Sequence, residues 1–388
     1  MKKTISIILM LVIGFILTGC ENPDDTPYVV DCDKYPTHES CEDTTEPPTC
    51  NEGYVLENDQ CVLIEEPGDF LEIYYINDFH GALEQDDDQL GIAYIANYIK
   101  TRKEMYPENV LFIAGGDILQ GSALSNYYYG LSTINLLNLI GLDAFTLGNH
   151  EFDWGIETVL AYADGNTENG EANFPFLGAN VFFKHTTNIP EEIEPYTIIQ
   201  KGNYKVGIIG TMGYGLESSI AYSRISDYEF GSPITAVKYY AEYLRTVEEC
   251  DIIIVSAHDS GSVLNNALLE LTGDYKVDAI FNGHSHTEYA LINSDTPILQ
   301  AGDNGEFLGY VRFDFTETTT SVSAENLRYF SSSLLRTPDT EVQNLLDQYI
   351  LELEDIIGQE IFVSDEYYSS AELSVWLASL MRISTNPK

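Results

Sequence analysis

Residues 110–117 read Val-Leu-Phe-Ile-Ala-Gly-Gly-Asp, an apolar run that stops at two glycines and a carboxylate. Five apolar residues in a row are typical of a strand that is buried on both faces. The glycines allow a sharp turn, which leaves the side chain of Asp117 at the end of that strand. The segment therefore predicts a strand of a buried sheet with a polar group at its carboxyl end.

The same pattern recurs on both sides of this segment. Helix-like stretches at 92–103, 133–140 and 233–249 separate several of the apolar runs, which cover residues 71–76, 110–114, 144–147, 176–179, 206–209, 252–255 and 277–281. Such alternation predicts an α/β fold with mostly parallel, buried strands. In open α/β sheets, ligands bind at the carboxyl ends of the strands.

Short polar clusters follow these runs at the expected strand ends. Their candidate metal ligands are Asp78, His80, Asp117, Asn149, His258, His284 and His286. Imidazole nitrogens and carboxylate or amide oxygens are ligands that borderline divalent cations accept. A single strand-end histidine is more often a hydrogen-bonded core residue, and Asp117 alone could cap a helix. Because the clusters occur together, they predict a centre for two metal ions.

The most specific cluster is Gly148-Asn149-His150-Glu151-Phe152-Asp153. The amide oxygen of Asn149 can bind a cation, whereas His150 points elsewhere along the turn. Asp153, three residues further on, can hold the imidazole of His150 in one tautomer. The cluster therefore predicts a catalytic pair of His150 and Asp153, with Glu151 and Phe152 serving the turn and the packing.

These motifs, together with Asn77-Asp78-Phe79-His80-Gly81 and Gly283-His284-Ser285-His286, resemble the metallophosphoesterase domain of the bacterial 5′-nucleotidase and UDP-sugar hydrolase family. The resemblance covers about residues 70–320 and implies a four-layer α/β/β/α sandwich with a binuclear site between its two sheets. It implies that one metal is bound by Asp78, His80 and His286, the other by Asn149, His258 and His284, and that Asp117 bridges them. His150 and Asp153 match the family's catalytic pair.

The resemblance also implies the reaction. Two divalent cations, such as Zn²⁺ or Mn²⁺, would make hydroxide available from water at neutral pH for attack on a phosphoryl group. The expected substrates are nucleotide phosphomonoesters or the pyrophosphate of a UDP-sugar, which would make the chain an enzyme of nucleotide catabolism. Two alternatives stay open: a broader phosphodiesterase or other ester hydrolase, and a non-catalytic surface lipoprotein that binds metal or a partner.

The first residues predict export. Lys2 and Lys3 precede an apolar run at 5–17, which is shorter than the roughly 20 residues that a membrane-spanning helix needs. Its end, Leu17-Thr18-Gly19-Cys20, resembles the lipobox of bacterial lipoproteins. We therefore expect a signal peptide at 1–19, lipidation of Cys20 and an extracytoplasmic protein anchored to the bacterial cell membrane, with an ordinary cleaved signal as the alternative.

Residues 20–68 predict an acidic tether between this anchor and the folded domain. Besides Cys20, four cysteines lie in this stretch, namely Cys32, Cys41, Cys50 and Cys61. Outside the cell they would form two disulfides, for which three pairings are possible. A zinc knuckle is the weaker reading, because the stretch has no Cys-x-x-Cys pair.

The charge of the chain disfavours nucleic-acid polymers as substrates. It contains 62 Asp and Glu against 18 Lys and Arg, which gives a formal net charge of −44. Such a field repels nucleic-acid polymers. A small phosphorylated substrate stays possible where bound cations reverse the local sign.

After residue 297 the residue pattern predicts β-strands, with strand-like runs at 298–300, 309–315 and 321–330. Thr337-Pro338 then predicts a helix start, Gly358 its stop, and an apolar stripe lies between them at Val342, Leu345, Leu346, Tyr349, Leu353 and Ile356. A last helix is expected at 371–381. The resemblance implies a metallophosphoesterase domain at 69–332, followed at 333–388 by a linker helix and the truncated start of a second domain that in relatives recognises nucleotides.

Overall fold

Two β-sheets lie face to face in the computed structural model, which describes residues 54–57, 60–63, 70–86, 89–357 and 367–384. We number the strands β1 to β17 and the helices α1 to α8 along this part of the chain. β1 (Tyr54–Glu57) and β2 (Gln60–Leu63) form a small two-stranded sheet. The expected signal peptide and the cysteines Cys20, Cys32, Cys41 and Cys50 lie outside the described residues, as does the side chain of Cys61.

The first large sheet, sheet A, has a parallel centre with two antiparallel strands at one edge. In spatial order its strands are β17 (Thr320–Leu327), β16 (Leu308–Phe315), β3 (Phe70–Ile76), β4 (Val110–Ala114), β5 (Ala144–Thr146), β6 (Phe176–Leu177) and β8 (Ile193–Glu194). The strands from β3 to β8 pair in parallel, and β16 pairs antiparallel with β3 and β17.

The second large sheet, sheet B, is parallel in its middle and antiparallel at both edges. In spatial order its strands are β14 (Glu288–Asn293), β15 (Thr296–Ala301), β13 (Ala279–Asn282), β12 (Ile252–His258), β10 (Tyr204–Met212) and β9 (Tyr196–Lys201). Its parallel pairs join β15, β13, β12 and β10. A separate ribbon pairs β7 (Val181–Phe183) with β11 (Tyr228–Phe230).

Helices cover the outer faces of both sheets. The described helices are α1 (Ile92–Met105), α2 (Ala123–Tyr127), α3 (Leu131–Ile140), α4 (Ile156–Leu160), α5 (Pro233–Thr246), α6 (Ser262–Leu269), α7 (Thr340–Ile357) and α8 (Ser370–Ser384). α1 and α3 pack on sheet A, whereas α5 and α6 pack on sheet B. In the part of the chain that the structure describes, no helix has both the length and the hydropathy needed to cross a membrane.

The alternation of side chains along the strands produces the layers. On β3, Leu71 and Ile73 enter the core between the two sheets, whereas Phe70 and Tyr74 pack against the helices. Successive strand residues point to opposite faces, so a strand with both faces apolar must lie between two layers.

The central strand of sheet B repeats this arrangement. Ile252 and Ile254 of β12 face sheet A, whereas Ile253 and Val255 pack against α5 and α6. Three buried cores therefore separate four layers, in the order helix, sheet, sheet, helix. The expected α/β/β/α sandwich is confirmed.

The long apolar runs became strands as expected, and β4 has its predicted bounds of 110–114. The structure adds elements that the sequence pattern did not indicate. The edge strands β9 and β14 are partly exposed and carry mixed polar and apolar residues, and α6 is only eight residues long. Both kinds of segment have a weak hydrophobic period.

The helix α7 begins later than predicted. Its first residue is Thr340, and the carboxylate of Asp339 accepts the backbone N–H of Val342 at 3.0 Å. Asp339 is therefore the N-cap, and the predicted start at Thr337-Pro338 was wrong, because an ionised aspartate makes the stronger cap. The helix ends at Ile357, and Gly358 lies outside the described residues.

The apolar stripe of α7 packs against the helices that cover sheet A. Val342, Leu346 and Leu353 are buried in that core, and Leu345 and Tyr349 are partly buried. Ile356 is 45% exposed, so the stripe ends one turn earlier than predicted. α7 is thus packed on the sandwich over most of its length.

Candidate metal centre

The structure brings all seven predicted metal ligands to one edge of the sandwich. Asp78 and His80 follow β3, Asp117 follows β4, Asn149 follows β5, His258 ends β12, and His284 and His286 follow β13. Both sheets therefore contribute, each at the carboxyl ends of its parallel strands, where α/β folds bind their ligands.

One group of donors consists of Asp78, His80 and His286, whose ligand atoms lie within 4.8 Å of one another. The Nε2 atoms of His80 and His286 face each other at 3.3 Å, and Nε2 of His286 lies 3.3 Å from Oδ1 of Asp78. Nδ1 of His80 donates to the carbonyl of Gln120 at 2.9 Å, so in the neutral ring Nε2 carries a lone pair. Lone pairs that converge in this way fit a cation between them.

A second group consists of Asp117, His258 and His284. Nδ1 of the buried His258 donates to the carbonyl of Gly115 at 2.9 Å, which turns Nε2 toward Oδ2 of Asp117 at 3.0 Å. Oδ1 of Asn149 lies 3.2 Å from the same Nε2. Asn149 therefore lies beside this group.

Within the second group, Asp117 and His258 stabilise each other's charged forms. Burial alone would lower the pKa of His258, but the carboxylate of Asp117 reverses this and raises the pKa to about 10. Burial would raise the pKa of Asp117, but His258 and His150 hold it well below its usual range. A buried, ionised carboxylate with imidazole and amide donors matches the ligand chemistry of borderline divalent cations.

His150 lies beside the two groups but belongs to neither. Its Nδ1 contacts Oδ2 of Asp153 at 2.7 Å, and its ring is 5.2 Å from the ring of His80. Burial opposes the charged form, but Asp117 and Asp153 together raise the pKa of His150. The expected pair of His150 and Asp153 thus forms next to the candidate ligands, with both side chains partly exposed.

The backbone is strained where the ligands are held. Asp78, His80, Asp117, His284 and His286 all have positive φ values, between 47° and 71°. The left-handed region is uncommon for residues other than glycine and costs free energy. Because this conformation recurs at five of the seven candidate ligands, the fold maintains it at a specific place.

Glu151 holds the loop after β4 in position. Its buried carboxylate accepts backbone N–H groups of Asp117, Ile118 and Leu119, at 2.9, 3.0 and 3.3 Å, and that of Gly148 at 2.8 Å. The expectation that Glu151 serves the turn fits these contacts, but the sequence did not indicate that this turn includes Asp117.

Two residues outside the predicted ligand set also contact the centre. The side chain of Asn77 donates to Oδ2 of Asp78 at 2.7 Å. Oδ2 of Asp303 lies 3.3 Å from Nδ1 of His286. Asp303 follows the end of β15, so it meets the criterion of a polar residue directly after a strand. It was not predicted because Gly302-Asp303-Asn304-Gly305 resembles an ordinary turn.

Comparison with known proteins agrees with this geometry. The calcineurin-like phosphoesterase family matches residues 71–288. An apyrase of Tabanus yao is 30% identical over 227 residues, which are 56% of this chain and 39% of that protein. The 5′-nucleotidase of Bos taurus is 27% identical over 325 residues, which are 75% of this chain and 54% of that protein.

A solved structure shows the same fold. The 5′-nucleotidase precursor from Thermus thermophilus superimposes with a TM-score of 0.63 at 22% identity, over 75% of this chain and 60% of that chain. The present chain thus spans about half the length of the curated relatives, 39% of one and 54% of the other.

Proposed function

Because the chain belongs to the calcineurin-like phosphoesterase family, we propose that it is a dimetal phosphoester hydrolase that acts on nucleotides. The observation that carries this proposal is the convergence of two donor groups, Asp78 with His80 and His286, and Asp117 with His258 and His284, beside a histidine that joins neither. The nucleotide as substrate is supported by the relative named 5′-nucleotidase.

Seven side chains would hold the two cations. Asp78, His80 and His286 would bind one, Asn149, His258 and His284 the other, and Asp117 would bridge them. When bound, such cations supply a water molecule that ionises near neutral pH and positive charge for the phosphoryl oxygens. Hydrogen bonds from His80 to Gln120 and from His258 to Gly115 fix the ring tautomers for this task.

His150 would act on the substrate directly. Because Nδ1 of His150 faces Asp153, the charged imidazole carries its second proton at Nε2, and the raised pKa favours that charged form. That proton stabilises negative charge that develops on the phosphoryl group, and it can pass to the leaving oxygen. Asp153 keeps the ring in the orientation and tautomer that this transfer requires.

A hydrolysis assay tests the proposal. The metal-loaded chain, with Mn²⁺, Zn²⁺ or Co²⁺, is expected to release phosphate from 5′-AMP. His150→Ala should lower kcat by a factor on the order of 10² to 10⁴, the usual share of a general acid. His185→Ala is the matched control, because His185 is exposed and lies outside the centre.

Two further substrates define the specificity. Cleavage of a UDP-sugar would extend the activity to pyrophosphate bonds. Turnover of bis-p-nitrophenyl phosphate alone would replace the nucleotidase by a broader phosphodiesterase. If no metal supports turnover of any of these compounds, the chain is not a hydrolase of this kind, and a metal- or partner-binding role takes its place.

We also propose that the protein is exported and anchored to the bacterial membrane through lipid on Cys20. Lys2 and Lys3, the apolar run at 5–17 and the ending Leu17-Thr18-Gly19-Cys20 support this location. Cells that express the chain with labelled palmitate should yield labelled protein in the membrane fraction. Label that persists in Cys20→Ala, or wild-type protein without label, would contradict the anchor.

A further inference from the structure

His286 differs from two other candidate ligands in the group that orients its imidazole. Nδ1 of His80 and Nδ1 of His258 each donate to a backbone carbonyl at 2.9 Å. Nδ1 of His286 instead faces a carboxylate oxygen, Oδ2 of Asp303, at 3.3 Å. Of these three rings, His286 is therefore the one that an anionic side chain holds.

Asp303 lies behind the ligand rather than among the donor atoms. Nε2 of His286 points toward Asp78 and His80, at 3.3 Å from each of their nearest ligand atoms. Nδ1 is on the other side of the ring, and that is the side that Asp303 contacts. A carboxylate in this position acts on the metal through the imidazole.

The loop that carries this carboxylate is fixed to the strand that carries Asp78. The buried amide of Asn77 donates to the carbonyl of Gly302 and accepts the N–H of Ala301, both at 2.8 Å. Asn304 donates its backbone N–H to the carbonyl of Asp78 at 2.8 Å and its side-chain amide to Oδ2 of the loop carboxylate at 2.5 Å. The carboxylate is therefore held at a defined place relative to Asp78.

Packing alone restrains His286 less than it restrains His258. The side chain of His286 is 44% exposed, whereas that of His258 is fully buried. An exposed ligand depends more on a polar neighbour to select its ring orientation and tautomer, and Asp303 is that neighbour for His286.

We propose that Asp303 is a positioning residue that sets the metal affinity of the site formed by Asp78, His80 and His286. The inference rests on the proposed dimetal function and adds to it a group that distinguishes the two sites. Removal of such a partner from a ligating histidine typically weakens metal binding by a factor of roughly 10 to 100. The site that contains His258 and His284 has no contact with Asp303 and keeps its affinity.

The test measures Mn²⁺ binding by the metal-stripped full chain in a calorimetric titration, with free Mn²⁺ followed by electron paramagnetic resonance. His286→Ala and His258→Ala identify which binding step belongs to which site. Asp303→Ala should weaken the His286 step by roughly 10 to 100-fold and leave the His258 step unchanged. Asp303→Asn should lose less, because its amide oxygen keeps a neutral acceptor on the Nδ1 side of the ring.

Asp274→Ala is the matched control, since it removes the same charge from an exposed position. It should leave both steps unchanged. Thermal unfolding of the metal-free variants verifies that each is folded. If Asp303→Ala does not fold, the binding data of Asp303→Asn test the role of Asp303 instead.

Three results would overturn the inference while leaving the metal centre intact. The first is unchanged Mn²⁺ binding in Asp303→Ala, and the second is equal weakening of both binding steps. The third is a loss of the His286 step as complete as in His286→Ala, because that result would make Asp303 a ligand. If neither His286→Ala nor His258→Ala weakens Mn²⁺ binding, the centre itself is absent, and the proposed function fails with the inference.

Discussion

The close contact between Gly116 and His258 shows how little space surrounds the candidate ligands. Gly116 has φ of 89°, and a Cβ atom at this position would lie 2.6 Å from Nδ1 of His258. That nitrogen donates to Gly115, and the bond sets the direction of the ligand atom Nε2. A side chain at residue 116 would therefore displace a predicted ligand as well as strain the backbone.

We expect Gly116→Ala to lower the free energy of unfolding more than Gly215→Ala does. Gly215 also has positive φ, at 75°, but a Cβ atom there meets nothing within 4 Å. Both variants have the cost of a left-handed alanine, about 1 kcal/mol or more, and only Gly116→Ala adds a steric clash. Urea unfolding of the metal-free chains measures the difference, and equal losses would contradict the close packing at His258.

The candidate ligands could be predicted because each follows an apolar strand. No single one of Asp78, Asp117 and His258 indicates a metal site by itself, but their occurrence together at strand ends does. Asp303 also follows a strand, but its segment resembles an ordinary turn, and its contact with His286 depends on how the loop after β15 folds back toward β3. The contacts of Glu151 with the loop after β4 depend on tertiary structure in the same way.

At the scale of single elements, the start of α7 differs from the start that the sequence pattern predicts. Thr337-Pro338 has the residue types of a cap and a first helical position, yet Asp339 accepts the N–H of Val342. Asp339 also contacts Nζ of Lys100 at 3.0 Å, which joins the start of α7 to α1. An acidic cap that also meets a lysine outcompetes a threonine without such a partner.

We expect Asp339→Ala to destabilise the protein by about 1 kcal/mol, the usual loss for a helix cap, with a smaller contribution from the partly exposed ion pair. Thr337→Ala is the matched control and should change the free energy of unfolding by less than about 0.5 kcal/mol, because Thr337 is exposed. Chemical denaturation measures both. A larger loss in the Thr337 variant would restore the start predicted from the sequence.

Elements with a continuous apolar run could be predicted, and elements at the edges could not. The strands β4 and β12 are buried on both faces, so their composition alone identifies them. β14 reads Glu-Tyr-Ala-Leu-Ile-Asn and owes its strand conformation to antiparallel pairing with β15. Such pairing depends on a neighbour that is chosen by the fold, and the segment itself gives little sign of it.

At the scale of the whole molecule, each candidate metal site draws ligands from both sheets. Asp78 and His80 follow a strand of sheet A, and His286 follows a strand of sheet B. In the other site, Asp117 follows a strand of sheet A and His258 ends a strand of sheet B. A bound cation would therefore join the two sheets and bind the folded chain better than the unfolded chain.

We expect Mn²⁺ to raise the Tm of the full chain and a chelator to reverse the effect. Each site contributes about 2.7 kcal/mol when the free metal exceeds its Kd by about 100-fold. His150→Ala should keep this stabilisation although it loses turnover, because His150 is outside both donor groups, whereas His258→Ala should lose part of it. A Tm that does not respond to Mn²⁺ would contradict metal binding between the sheets.

The hydrogen bond from the backbone of His284 to Asp78 spans 206 residues of chain, and it lies within the candidate centre. Closing so long a loop costs conformational entropy that the contact alone does not repay, so we expect it to form together with the packing of the two sheets. Partly folded forms would contain helices and single strands but no complete set of donors. In a refolding experiment, metal-dependent turnover would therefore return after the circular dichroism signal of the helices, and activity would serve as a reporter of finished tertiary assembly.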